Sequence, residues 1–535
     1  MAIDCLLINL TRFGDILQSQ ALIHDLSRMG LRTGLLCQEN FAKTGMLLDG
    51  LSGIWALPGA GLLKAVDTAW HDAVGRIRAF SEEIRAEGAR IVLNITPLPA
   101  ARLLANLVSN GTREGTIVGF GIDNEGFGTN NGPWSTFLCA QSLCRENAVF
   151  NVIDLFRRMA APLGQCPTKH ADIRCKKAKR EDMERAESIL SQVEGNHKEP
   201  IKGFVAFQLG ASSTLRQWPT EFFAALGDKL WEEAGLCPVL TGAKSELALQ
   251  THYAEMSHSP YVSAIGKTDL GVLSALLEKM RLLVSNDTGT LHLASALETK
   301  SVSFFLATAQ PWDTGPALPG CLCLEPDIAC HPCAFRKVCE NKNACQRSIR
   351  PEPVARVILS WIFGASWEES LESAPNLEAR AWETGRDAQG FAQVQEIGRH
   401  SNTDRGKWCR LQRAFWSHLL DRPNDCAIDA HPATLSFADT LRNELDHASL
   451  ILRALEEQFI LLGKSSSAGT LFLRNCDRLQ THLLTSRYLR SFGHYWQESR
   501  HILSRSLPEL GDGIRNFRTH LDSLARLLMS GTEHA

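Results

Sequence analysis

Along residues 1 to 364, apolar positions switch repeatedly between two spacings. Short continuous runs, "IDCLLINL" at 3–10, "TGLLCQ" at 33–38, "RIVLNI" at 90–95 and "TIVGF" at 116–120, read as buried strands. Between them the apolar residues recur at helical intervals, as in "ILQSQALIHDLSRMG". A second series starts at Gly203 with "GFVAFQL", a helix from Pro219 to Glu233, "LCPVLT", a helix from Lys244, "RLLVS", a further helix and "SVSFF". Strand and helix in alternation predict parallel βαβ units, and two such series predict two doubly wound lobes with a ligand cleft between them. The charged stretch "CKKAKREDMERAESIL" separates the series, and "VARVILSWIFG" at 354–364 predicts a closing helix.

The pattern then changes. Residues 365–405 turn polar and acidic with poor periodicity, which predicts a linker. From Trp408 helical spacing returns in "WCRLQRAFWSHLL", "LRNELDHASLILRALEEQFILL" and "IRNFRTHLDSLARLL", predicting a helical bundle over 406–535 that carries no chemical motif. The expected order is an amino-terminal lobe at 1–175, a second lobe at 200–364 with a cysteine loop at 321–349, the linker and the bundle.

A chain of 535 residues exceeds what one core serves, in keeping with several domains. Its formal charge of -3 and pI near 6.6 give no reason to expect nucleic acid as a partner. The start "MAIDCLLINLTRFGDILQSQ" lacks a basic leader, and no apolar run reaches the ~18 residues of a spanning helix. A cytoplasmic place is therefore expected, with most of the 16 cysteines reduced.

Chemistry is expected where strands end and helices begin, because unpaired N–H groups and the helix dipole favour anions there. "SNDTGTLH" is such a junction: Thr288 and Gly289 can bring donors to a phosphate, while Asp287 suits holding the loop or accepting from a sugar hydroxyl. Helix capping is the ordinary alternative for Asp287. "NLTRFGDILQSQ" places Gly14 and Asp15 at the equivalent point of the first lobe, where a carboxylate can act as general base or merely cap a helix. "QLGASSTLRQWPTEFF" offers Arg216 to a departing diphosphate. In "LTGAKSE", Glu246 can accept from a ribose or sit solvated on its helix. Six cysteines fall between Cys321 and Cys345, and "CHPCAFRKVCENKNAC" sets Cys330, Cys333, Cys339 and Cys345 at spacings suited to structural zinc or iron, with ordinary free thiols as the alternative.

Taken together, "FGDIL", "GAS…LRQWP", "TGAKSE" and "LLVSNDTGTLHLASAL" resemble glycosyltransferase family 9, the ADP-heptose:lipopolysaccharide heptosyltransferases, over roughly residues 3–364. The resemblance implies a GT-B fold, two Rossmann-like lobes with the helical domain appended, and inverting transfer from an ADP-sugar. It implies Asp15 as base, Arg216 at the diphosphate, Thr288 and Gly289 at the phosphates, Asp287 and His292 on the donor side, and Glu246 at the ribose. With no Asp-x-Asp motif, a catalytic divalent cation is not expected. The cysteine cluster is similar to the iron finger of the autotransporter heptosyltransferase branch, which implies a protein hydroxyl as acceptor beside the lipopolysaccharide core. A homo-oligomer through the helical tail and work at the inner membrane face complete the expectations. The competing readings are a sugar-nucleotide epimerase or hydrolase, although "TRFGDIL" supplies no G-x-G-x-x-G, and a non-catalytic glycan-assembly protein that keeps the fold.

Overall fold

The computed structural model describes residues 2–109, 116–164, 172–195, 199–334, 338–400, 402–422, 425, 428, 430–462, 464, 466–503 and 506–530. Parts of the expected first lobe (110–115, 165–171), cysteine loop (335–337), linker (401) and bundle (including 531–535) lie outside the described residues. The chain divides into two units, Met1–Ile122 with Asn151–Ser401, and Asp123–Phe150 with Asn402–Ala535.

In the first unit, strands β1 (Cys5–Ile8), β2 (Thr33–Gln38), β3 (Leu51–Leu57), β4 (Ile91–Asn94) and β5 (Thr116–Ile122) lie in the order β3-β2-β1-β4-β5, and all their pairings are parallel. Leu6, Ile8, Leu36, Val92 and Leu104 are buried in one core, which explains why these runs show no polar alternation. β6 (Gly128–Asn131) belongs to the second unit.

The second sheet holds β7 (Val193–Glu194), β8 (Gly203–Gln208), β9 (Leu236–Thr241), β10 (Tyr261–Ser263), β11 (Leu282–Asn286), β12 (Ser301–Phe304), β13 (Leu322–Pro326), β14 (Ala379–Arg386) and β15 (Ala392–Ile397). Their order is β15-β14-β13-β12-β11-β8-β9-β10-β7. The chain winds from β8 out to β10, then returns to place β11 against the other side of β8. That reversal makes a crevice at the carboxyl ends of β8 and β11, the place where open α/β sheets take ligands. Trp218, stacked on Phe304 at 4.2 Å between ring centroids, lies in the core behind it.

The expected linker at 365–405 is corrected by the structure. It contains the helix Trp367–Glu372 and the hairpin β14–β15, which pairs antiparallel to β13 and extends the sheet. In β15, "AQVQEI", buried Ala392 and Val394 alternate with half-buried Gln393 and exposed Gln395, so the polar residues that resembled a loop form the wetter face of an edge hairpin. Helix Trp367–Glu372 is capped by Ser366 and fixed by Trp367, which stacks on Trp361 and donates to the Gly320 carbonyl at 3.0 Å.

The expected extent of the first lobe also differs, since Asp123–Phe150 groups with the carboxy-terminal helices. Helix Pro133–Leu143 is buried on most of its surface: Trp134 donates to Asp421 Oδ1 at 2.7 Å and Phe137 packs on Trp416. A helix buried on most sides, with Ser135, Thr136 and Gln141 among its buried residues, does not reveal in sequence which neighbours cover it. The remainder of this unit is built on the helices Asp404–Asp421, Ala438–Phe459, Ser466–Thr485, Arg490–Leu503 and Leu507–Arg526. Among the described residues, no helix is long and apolar enough to cross a membrane.

Trp382 ties the hairpin to the sheet, for its buried ring donates from Nε1 to the buried Glu325 Oε2 at 2.7 Å. Trp382→Ala is expected to destabilise the unit by about 3–5 kcal/mol, because it opens a cavity and removes a donor from a buried carboxylate. Urea unfolding checks this, and a loss below about 1 kcal/mol would contradict the anchoring role.

Candidate active site at the carboxyl ends of the strands

The loop after β8 enters a single tight turn, Thr214–Arg216, before the helix Thr220–Ala234. Asn286, the last residue of β11, is fully buried and organises this loop. Its Nδ2 donates to the carbonyls of Leu209 at 2.9 Å and Gly210 at 3.3 Å, while its Oδ1 accepts from the Trp218 amide at 2.8 Å. An amide side chain thus pairs backbone groups that the loop would otherwise bury without partners.

That anchoring brings Arg216 to Asp287. Arg216 Nη1 lies 3.2 Å from Asp287 Oδ2, and its Nε and Nη2 donate to Thr308 Oγ1 at 2.9 and 2.6 Å. Thr314 donates to the other Asp287 oxygen at 3.0 Å. Asp287 is therefore engaged with Arg216 and Thr314, a pairing that its sequence position did not suggest. Thr288 stands at the head of the helix Gly289–Ala296, and its hydroxyl lies 3.1 Å from Ser285 Oγ.

The first lobe presents the helix Phe13–Gln18 directly against that helix. A side chain on Gly289 would collide with the Phe13 ring, and a Cβ on Gly14 would lie 3.0 Å from His292 Cδ2 and 3.5 Å from the Gly289 Cα. Gly289 is required by this close approach of two helix starts, and Gly14 leaves its neighbour His292 the room it occupies. Asp15 is half-buried; its Oδ2 accepts from the Arg12 amide at 3.3 Å as a capping carboxylate does, and the buried Asn9 donates to its carbonyl at 3.2 Å. The geometry of Asp15 is that of a helix cap.

His292 is buried at this junction of lobes. Burial lowers its pKa, while the negative charges of Asp287 and Asp15 act in the opposite direction. Glu246 sits where the loops after β8 and β9 meet: its carboxylate covers Gly210, accepts from the Ala243 amide at 2.7 Å, and lies 3.4 Å from Gln208 Nε2. The structure gathers Gly14, Asp15, Arg216, Asp287, Thr288, Gly289 and His292 around one junction, with Glu246 on the loop bordering it.

The cysteine cluster is not assembled as expected. Among the described residues, no group of three or more His, Cys, Asp or Glu side chains is arranged to hold a metal ion. Cys330 is exposed and Cys345 buried; burial raises the Cys345 thiol, the Ala307 amide opposes this, and Cys339 and Cys330 raise it further. The spacing that suggested four ligands does not by itself turn four sulfur atoms toward one point.

Asn9, Gln208, Asn286, Thr308 and Thr314 were not singled out from sequence as parts of the site. Asn286 and Gln208 carried one signal, a polar side chain at the end of a buried strand. Thr308 and Thr314 carried none, since they join the site only through folding.

These elements define a GT-B type glycosyltransferase fold. Over 68% of this chain and 99% of the other, the structure superposes on a family 9 glycosyl transferase from Veillonella parvula with a TM-score of 0.51 at 16% identity. Residues 142–344 match the family model for glycosyltransferase family 9 (heptosyltransferase). The chain is 25% identical over 161 residues to lipooligosaccharide heptosyltransferase 2 of Campylobacter jejuni, covering 29% of this chain and 49% of the relative. It is 30% identical over 118 residues to lipopolysaccharide heptosyltransferase 3 of Escherichia coli, covering 21% and 34%. The matches span about half or less of these curated relatives.

Because the His292 pKa is lowered in the folded state, the unfolded chain binds the proton first as pH falls below its ordinary 6.5. The neutral ring's contribution is present above that value and is lost on acidification, with a slope of at most about 1.4 kcal/mol per pH unit. His292→Asn is expected to flatten the fall in stability between about pH 7 and 5. Denaturant titrations across that range check it; an unchanged slope would refute the assignment.

Proposed function

We propose that this protein is an inverting glycosyltransferase that moves a heptose or related sugar from an ADP-sugar to a hydroxyl of a lipopolysaccharide core or a protein. The observation that carries this reading is the Arg216–Asp287 pair at the β8–β11 crevice; Asp15 and Asp287 both act on the electrostatics of His292. The curated relatives, by name heptosyltransferases of lipooligosaccharide and lipopolysaccharide, favour a heptose and a lipopolysaccharide-core acceptor. On this reading 1–122 supplies the acceptor side and 200–364 holds the nucleotide sugar. The helical unit serves acceptor choice or self-association. A cytoplasmic place, where the thiols would stay reduced, is part of this reading.

Asp15 accepts the proton of the acceptor hydroxyl as its oxygen attacks the anomeric carbon. The bond from that carbon to the phosphate oxygen breaks on the opposite face, and its electron pair leaves with the diphosphate. Arg216 and the amides opening the helix Gly289–Ala296 stabilise that charge. Asp287 positions Arg216, His292 fills the junction as a neutral ring, and Glu246 accepts from the ribose.

Asp15→Asn is expected to lower kcat by about 10²–10⁴-fold with ADP affinity unchanged, because a carboxamide caps the helix but takes no proton. Intact-mass measurement of acceptors incubated with ADP-heptose gives the rate, and near-normal turnover at saturating substrates would remove Asp15 from the role. Arg216→Ala is expected to weaken ADP binding by about 10–100-fold, with partial recovery in Arg216→Lys. Calorimetry with unchanged ADP affinity would defeat the donor-site assignment.

A further inference from the structure

Among its described residues the cysteine-rich segment forms no group arranged to hold a metal, yet it approaches the surroundings of Arg216 by two routes. The first runs through Gln346, next to Cys345 on the short helix Ala344–Ser348. Its Nε2 donates to the Thr214 carbonyl at 2.6 Å and to the Gln217 carbonyl at 2.9 Å. These carbonyls flank Arg216, and the turn's own bonds, Arg216 N–H to Ser213 at 3.0 Å and Gln217 N–H to Thr214 at 3.2 Å, close the same few residues. One primary amide spends both its hydrogens spanning the turn that carries the guanidinium.

The second route runs through Ala307. Its carbonyl accepts from the Cys333 amide at 2.8 Å, and its own amide donates to the Cys345 sulfur. Ala307 has φ of 54°, a left-handed conformation that an alanine adopts only when its surroundings hold it. The next residue is Thr308, whose hydroxyl receives the Arg216 guanidinium. The segment therefore touches the backbone of the Arg216 turn and the residue preceding Thr308, the side-chain partner.

We infer that Gln346 is a positioning residue that sets the aim of Arg216 toward the diphosphate, and that the cysteine-rich segment is the clamp that presents it. This rests on the donor-site reading of Arg216. Asn286 holds the same loop from the core side through Trp218, so Gln346 fixes the direction of the turn while Asn286 fixes the fold around it. A purely structural part for Gln346 would move stability; a positioning part moves ADP affinity through Arg216.

The test is calorimetry with ADP on the full chain, comparing the unaltered protein with Gln346→Ala, Gln346→Met, Arg216→Ala and the Gln346→Ala/Arg216→Ala double variant. Met keeps the length and removes the donors. Arg347→Ala is the control, because exposed Arg347 pairs with Glu221 at 2.7 Å from the same short helix. Both Gln346 variants are expected to bind ADP about tenfold more weakly, with the melting temperature close to that of the control and no further loss in the Arg216→Ala background. Unchanged ADP affinity in both, alongside a loss in Arg216→Ala, would overturn the clamp and leave the donor site standing. An equal added loss in the Arg216→Ala background would also overturn it, since Gln346 would then act without Arg216. If Arg216→Ala itself binds ADP normally, the donor-site reading fails and the clamp falls with it.

Discussion

The nearly buried ion pair between Arg216 and Asp287 is the constraint on which the site depends. Two charges removed from water are tolerable only when both are paired and hydrogen-bonded, and here Thr308 and Thr314 complete the pairing. The pair bridges the loops that leave β8 and β11, strands made neighbours by the reversal of winding direction. Everything that fixes those loops, from Asn286 within the core to Gln346 on the cysteine segment, consequently fixes a guanidinium. A long flexible side chain becomes a directed one because its partners were placed first.

Across the junction the controlling quantity is distance. Gly14 and Gly289 let two helix starts approach closely enough for Asp15 to act on the electrostatics of His292. Burial lowers the pKa of His292 while the charges of Asp287 and Asp15 oppose this, and Arg216 pairs with Asp287. On the proposed reading the carboxylate of Asp15 would take a proton and the guanidinium of Arg216 would face a diphosphate, while in the structure Asp15 caps its helix start.

Family resemblance and geometry support one another on different ground. The family match covers residues 142–344, whereas Asp15 lies outside it and enters the argument through the packing of Phe13 and Gly14 against the second junction. The cysteines show the converse. Their spacing invited a metal, but the folded segment spends its contacts on Ala307, Thr214 and Gln217, which are groups of the candidate site.

Alternating strand and helix periods determined the two doubly wound sheets, because a buried strand and an amphipathic helix each impose a local repeat that needs no knowledge of their neighbours. The junction motifs followed in the same way, from small and polar residues where a buried strand must end. Tertiary structure decided the rest. The hairpin Ala379–Ile397 looked like a linker because only its pairing with β13 shows that its polar residues line a sheet edge. Helix Pro133–Leu143 grouped with the distant carboxy-terminal helices, and a helix buried on most sides does not reveal in sequence which neighbours cover it. Thr308 meets Arg216, Thr314 meets Asp287 and Gln346 meets the Thr214 carbonyl by strand order and loop packing that no local repeat encodes.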